Sequence, residues 1–234
     1  VNAILLDASE LRGSHVVLTG RRAEHVRDVL GSVEGEELRV GVLGDRLGTG
    51  SVVAREAESI TLEVRLSREP PEPSRAKIIL ALPRPKVARR VLIDLTAAGV
   101  KEIHLIGAWK VDKSYWNSPL LTEEAVREHL VLGLEQGGDT VLPNVTCHRL
   151  FKPFVEDRVP TLARGARRFV AHPSADCVCP KGGTEPFMLA IGPERGFTQY
   201  EVERFVEAGF ESISLGARTL RVEAAVATLL GRLS

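Results

Sequence analysis

Leu189-Ala190-Ile191-Gly192-Pro193-Glu194-Arg195-Gly196-Phe197-Thr198 and Ser214-Leu215-Gly216-Ala217-Arg218-Thr219-Leu220-Arg221-Val222-Glu223-Ala224-Ala225 share one grammar: apolar strand, glycine turn, helix. Phe187 to Ile191 is a short apolar run stopped by Gly192-Pro193, the pattern of a buried parallel strand. Thr198 stands three residues before Glu201, so hydroxyl and carboxylate can satisfy the first free amides of a helix as a capping box. Gly209 closes that helix, and Ile213 to Leu215 gives the next strand. Beyond Leu220 the apolar residues Val222, Val226, Leu229, Leu230 and Leu233 recur at helical spacing.

Two glycine loops at the carboxyl ends of neighbouring parallel strands form a crevice in which backbone amides approach a ligand closely. Spacing alone equally fits two ordinary strand-to-helix turns. The charged residues set into the loops, Glu194, Arg195, Arg218, Arg221 and Glu223, favour a binding site.

Taken together, IGPERGF and LGARTLRVEAA resemble the paired C-terminal motifs of the RsmE family, the uridine-N3 methyltransferases of small-subunit (16S) ribosomal RNA. The resemblance implies an α/β protein: an N-terminal PUA-like β-barrel that contacts RNA, over 1–70, then a SPOUT methyltransferase domain over 75–234. In that class the C-terminal strands and helix form a trefoil knot, which no periodicity argument would propose. It further implies S-adenosylmethionine as cofactor, held around Leu80, Leu82, Ile191, Gly192, Pro193, Glu194, Gly196, Leu215, Gly216 and Leu220. Arg218, Arg221 and Glu223 are the catalytic candidates. The expected partners are ribosomal RNA of the small subunit and a second copy of the chain, in the cytoplasm.

Composition sets outer limits on this reading. The 234 residues, 44% hydrophobic, suffice for one large or two small cores. Formal net charge is zero, so any RNA site must be a local patch. Cys147, Cys177 and Cys179 make no disulfide framework and fit a reduced compartment. His172, Cys177 and Cys179 match no common zinc spacing and lack a fourth ligand, so no metal is expected. No apolar run reaches the length of a membrane helix, and no signal-peptide pattern opens the sequence.

Toward the N-terminus, short β-branched and aliphatic runs predict strands at Ala3 to Leu6, His15 to Leu18, Glu37 to Leu43, Gly50 to Ala54 and Ile60 to Leu66. Gly35, Gly41, Gly44, Gly48 and Gly50 punctuate them like the corners of a small barrel. One helix is expected over Arg22 to Leu30, ended by Gly31. Residues 1–75 hold ten Lys or Arg against thirteen Asp or Glu, which argues against general phosphate affinity. Arg21, Arg22 and His25 can nevertheless share a face with Arg12, His15 and Arg27, either as a phosphate patch or as a solvated helix surface.

Glu69-Pro70-Pro71-Glu72-Pro73 is an extended spacer. Strand and helix alternate beyond it: strands at Lys77 to Leu82, Glu102 to Ile106 and Arg168 to Ala171, helices at Val87 to Ala98 and Leu121 to Glu135. Such alternation means a parallel sheet covered on both faces. Arg84, Lys86, Arg89 and Arg90 form a basic cluster at the end of the first of these strands, where Arg84 and Lys86 can meet RNA phosphates.

Some positions depart from the family pattern. The first helix of this domain carries Ile93-Asp94 where a Gln-Lys pair is usual, Asp139 follows Glu135-Gln136 in place of an arginine, and Arg195 replaces a glycine. Val222 and Ala224 flank Glu223 where threonines are usual. Tyr115 and Trp116 can stack a base or anchor a loop. These departures keep two alternatives open, a non-catalytic RNA-binding or ribosome-assembly protein and a SPOUT enzyme acting on another nucleotide. A Rossmann nucleotide enzyme is disfavoured, since no G-x-G-x-x-G occurs.

Overall fold

The computed structural model describes residues 3–234; Val1 and Asn2, the start of the expected first domain, lie outside the described residues. The described residues divide into two compact units, one of 3–72 with 131–142, the other of 73–130 with 143–234. The return of 131–142 to the first unit departs from the simple division at the proline spacer.

In the first unit, every expected strand is present: β1 (Ile4–Leu6), β2 (His15–Thr19), β3 (Glu37–Val42), β4 (Leu47–Arg55) and β5 (Ser59–Arg68). They form one sheet in the order β1-β3-β4-β5-β2, antiparallel except for the parallel β1–β3 pair. Alternation selects the buried face: Val16 and Leu18 of β2 pack with Leu38 and Val40 of β3 and with Ile60 and Leu62 of β5. Gly41, Gly48 and Gly50 lie inside strands rather than at corners. The expected helix begins as α1 (Gly20–Glu24) and continues as a π-helical turn over His25–Val29, whose Val26 is fully buried.

The second unit is a seven-stranded, wholly parallel sheet in the order β10-β12-β9-β11-β6-β7-β8. In chain order its elements begin with β6 (Ala76–Ala81), α2 (Pro85–Ala97), β7 (Glu102–Ile106), α3 (Glu123–Gly137, whose residues from 131 on belong to the first unit) and β8 (Asn144–His148). Two short helices, α4 (Phe151–Pro153) and α5 (Val159–Leu162), flank a π-helical turn and lead to β9 (Arg167–Ala171) and β10 (Cys177–Val178). The last elements are β11 (Phe187–Ile191), α6 (Gln199–Glu207), β12 (Glu211–Ser214) and α7 (Val222–Leu233). The sequence reading misses β8, β10 and the helices between Phe151 and Leu162.

All five residues of β11 are buried, as its unbroken apolar run requires of a central parallel strand. On one face Met188 and Ala190 join Ile79, Val170, Phe154, Phe197 and Phe205 in the core, while α7 packs against β11 and α2. Register then sets the site. Ile191 stands opposite both Leu80 and Ala171, and Ala171 opposite Ile213, so the strands end at one level.

Candidate active site

At that level a cleft of about 790 Å³ opens at the carboxyl ends of the strands, where open parallel sheets bind ligands. Its wall is the loop after β11. Ile191, Gly192, Pro193 and Phe197 are all buried there. A Cβ on Gly192 would stand 2.7 Å from the Phe197 amide nitrogen, so only glycine lets the loop fold back on itself. The Glu194 carboxylate accepts the Arg84 amide at 2.9 Å, fastening this loop to the start of α2. Lys110 donates to the Arg195 carbonyl at 2.9 Å.

The capping box at Thr198 is present and does more than the motif announces. Glu201 Oε2 accepts the Thr198 amide at 2.7 Å, and the Glu201 amide donates to Thr198 Oγ1 at 3.3 Å. The other oxygen, Oε1, accepts the Trp109 amide at 2.7 Å, so one buried carboxylate ties α6 to the loop after β7.

Across the cleft the loop after β12 is open. Gly216 has φ +97°, a conformation natural to glycine, and Ala217 to Arg221 are all exposed. Arg218 and Arg221 line the cleft, and among the described residues neither makes an ion pair. Arg221 is the N-cap of α7, so the cleft also meets the first turn of that helix, whose amide groups lack intrahelical acceptors. Glu223 pairs with Arg90 of α2 at 2.7 Å, not with either loop arginine. Nearby Asp94 has its carboxyl pKa raised, first by burial and then by the charge of Glu223, with Arg90 opposing.

The structure thus gathers Ile191, Gly192, Pro193, Glu194, Gly196, Leu215, Gly216 and Leu220 around one cleft with Arg84, Arg218, Arg221 and Glu223. Leu80 and Leu82 are not in its wall. Both are fully buried in the sheet region, and the Leu82 amide is taken by the Ile106 carbonyl. Lys86 is exposed on α2 and does not line the cleft.

In the first unit, Arg21, Arg22 and His25 border a separate hollow of about 120 Å³. The charges of the two arginines are already partnered. Arg21 makes a two-pronged bond to Glu135 at 2.9 and 3.1 Å, and Arg22 pairs with Glu10 while donating to the Leu5 carbonyl. Asp139 caps the turn after α3 by accepting the Thr140 and Val141 amides. Among the described residues no group of three His, Cys, Asp or Glu is arranged to hold a metal ion, and the three cysteines are free.

A family model described as RNA methyltransferase domain matches residues 70–234, which contain the whole cleft. The chain belongs to the RNA methyltransferase family. Ribosomal RNA small subunit methyltransferase E of Treponema pallidum is 28% identical over 232 residues, covering 96% of this chain and 87% of that one. A second relative of the same name, from Borreliella burgdorferi, is 23% identical and covers 96% of this chain and 94% of its own. These bear out the resemblance to the RsmE family carried by the two C-terminal motifs. Among solved structures, that of ribosomal RNA small subunit methyltransferase E from Neisseria gonorrhoeae, bound to S-adenosylmethionine, superposes with a TM-score of 0.72 at 18% identity, covering 97% of this chain and 95% of that one. A Legionella pneumophila methyltransferase in complex with the same cofactor gives 0.69 at 22% identity, covering 98% and 96%. The fold shared with these two structures therefore includes both units, whereas the family model matches 70–234 alone.

Proposed function

We propose that this RNA methyltransferase transfers a methyl group from S-adenosylmethionine to N3 of a uridine in small-subunit ribosomal RNA. One observation carries the reading: a tightly folded glycine loop and two unpaired arginines face each other across a single cleft. S-adenosylmethionine, when bound, supplies an electrophilic methyl group on a sulfonium. The chain fits such a ligand. Gly192 and Gly216 bring main chain to the cleft without side chains, Ile191, Leu215 and Leu220 offer apolar surface, and the backbone turns offer hydrogen-bonding groups.

What remains is positioning and charge. A neutral uracil N3 is a poor nucleophile because its lone pair is delocalised into two carbonyls. Loss of its proton spreads negative charge over the flanking oxygens, which Arg221, with Arg218 beside it, stabilises. Of the two carboxylates lining the cleft, Glu194 is held by the Arg84 amide, which leaves Glu223 to take the proton directly or through water. Arg90 holds the Glu223 carboxylate at 2.7 Å and so steadies the first turn of α7, beside Arg221.

The wider assignments belong to the same proposal. The first unit acts as a PUA-like RNA-binding barrel, with the partly exposed Arg21 and with Arg22 and His25 meeting phosphates in competition with Glu135 and Glu10. Arg84 and Lys86 meet RNA beside the cleft. The strand order β12-β9-β11-β6, followed by the return of α7 to β11, supports a knotted C-terminus. Ala224 and Ala227 are exposed on α7 and suit close helix approach in a homodimer, working in the cytoplasm. Light scattering at micromolar concentration should give twice the chain mass.

Transfer of labelled methyl groups to small-subunit ribosomal RNA, followed by mapping of the modified nucleotide, tests the central claim. Modification at a uridine N3 is expected. Cofactor binding without transfer to any RNA would reassign the protein as a non-catalytic RNA-binding or assembly factor, and transfer to a different atom would overturn the target.

A further inference from the structure

We propose that Trp109 is a stacking platform for an unpaired RNA base at the mouth of the cleft. The inference rests on the methyltransferase reading for its substrate, but on separate observations for its site.

Trp109 is 85% exposed, the highest value among the large apolar side chains left on the surface. Exposure alone would be unremarkable on a loose loop; here the backbone beneath the ring is pinned. The Val111 amide closes a turn onto the Ala108 carbonyl at 3.0 Å, and both Ala108 and Val111 pack against the core. Inside the turn, the Trp109 amide is held by buried Glu201 at 2.7 Å, and Lys110 reaches the Arg195 carbonyl at 2.9 Å. The turn thus presents an indole to solvent from a fixed base, and no aromatic or cationic group among the described residues stacks on it. Trp116 contrasts with it: half-buried, with the Arg149 guanidinium 5.8 Å from its ring centre, it already has a partner.

Charge favours RNA as the occupant. Lys110, the residue after Trp109, lines the cleft with Arg84, Arg90, Arg195, Arg218 and Arg221, six cations against the two carboxylates Glu194 and Glu223. An exposed aromatic beside a cationic groove is the combination that holds single-stranded nucleic acid: cations track the phosphates while a ring stacks on a base. A pre-ordered backbone also lowers the entropy lost on binding.

The experiment combines kinetics with a signal that needs no turnover. The chain has two tryptophans, so in the full-length Trp116→Phe protein fluorescence reports Trp109 alone. Poly(U) should quench it. With small-subunit ribosomal RNA as substrate, Trp109→Ala should raise KM on the order of tenfold, within the range for loss of one base-stacking side chain, with kcat and cofactor affinity near wild type. Trp109→Phe should recover most of the loss and Trp109→Leu should not. An unchanged KM in Trp109→Ala, equal recovery by leucine, or absent quenching would overturn the proposal. So would a changed oligomeric mass in Trp109→Ala with normal RNA affinity, which would make the indole a protein contact. Quenching by poly(U) in a protein that methylates no RNA would reject the proposed activity and keep the stacking site; methylation without quenching would do the reverse.

Discussion

The two glycine loops that face each other across the cleft are alike in sequence and opposite in construction. The loop after β11 is buried at Gly192, Pro193 and Phe197 and fastened from three directions, by Glu194 to α2, by Lys110 to the loop after β7, and by the Thr198–Glu201 cap. The loop after β12 is exposed from Gly216 to Arg221, and a Cβ on Gly216 would meet no atom within 4 Å. The first is a wall whose shape is set by packing. The second keeps its arginines free, so it presents charge rather than shape. On the proposed function the first loop contributes stability and ligand fit, and the second supplies charge for the chemistry.

The largest expected effect tests the open loop as a binding element. Gly216→Val forces a β-branched residue into a conformation that L side chains avoid, and with open space around it the loop relieves the strain by changing course. S-adenosylmethionine binding should be abolished in calorimetry while the unfolding midpoint stays near wild type. Wild-type affinity in this variant would remove the loop from the cofactor site.

Next in size is the chemical role of the same loop. Arg221→Ala should slow methyl transfer by on the order of a hundredfold, with little change in cofactor affinity, as expected when one group that stabilises developing charge is lost. Glu223→Gln should also slow transfer, and raising the pH should restore part of the rate if Glu223 accepts the proton. Single-turnover kinetics at saturating cofactor on both variants and the double mutant separate these roles. Near wild-type rates in Arg221→Ala would shift charge stabilisation to Arg218 or to the cluster around Arg84 and Arg90.

The packed loop should fail in the opposite way. Gly192→Ala places a methyl group 2.7 Å from the Phe197 nitrogen and 3.1 Å from Gly196, all backbone, so the loop itself must shift. Overpacking of this kind costs about 1–3 kcal/mol. Each kcal/mol lowers the melting temperature of a domain of this size by roughly 2–4 °C. A calorimetric scan with an unchanged midpoint would show that the wall is as pliant as the loop it faces.

The sequence made this contrast half legible. Both loops, their glycines and their charges are local patterns, and the capping box predicted the start of α6. Strands of unbroken apolar residues, such as β11, announce themselves because burial on both faces leaves no polar position. Asn144–His148 escapes for the converse reason: β8 is an edge strand with exposed Asn144 and Cys147 and carries no such run. The fastenings escape because they join distant residues. Trp109 and Glu201 are 92 positions apart, Arg84 and Glu194 are 110 apart, and Arg21 and Glu135 are 114 apart. A carboxylate that completes a capping box gives no sign of holding a second loop, so nothing in the sequence sets Trp109 apart beside the more conspicuous Tyr115-Trp116 pair.

The smallest expected effect concerns pH, and it falls on the packed side of the comparison. His104 of β7 is buried at 3% exposure, with Nδ1 2.7 Å from Thr146 Oγ1 and Nε2 3.1 Å from Glu102 Oε1; Thr146 in turn lies 3.0 Å from His148 Nε2. Burial lowers the pKa of His104, outweighing the opposite pull of Glu102, and burial together with His104 lowers that of His148. A histidine whose folded pKa is depressed contributes its full share of stability above the unfolded value of about 6.5, and that share is lost as pH falls through the folded value. Each unit of separation is worth about 1.4 kcal/mol, so a drop of a few degrees in melting temperature is expected on going from neutral to mildly acidic solution. Because β7 leads directly into the turn that holds Trp109 and Lys110, acid should loosen the fastenings of the first loop before it affects the second. Hydrogen exchange at mildly acidic pH should therefore rise at the amides of Trp109 and Phe197 ahead of those in α7, and His104→Gln should flatten the pH dependence of the melting temperature. An equally steep dependence in His104→Gln would place the acid-sensitive groups elsewhere and separate the stability of the packed loop from the β7–β8 edge.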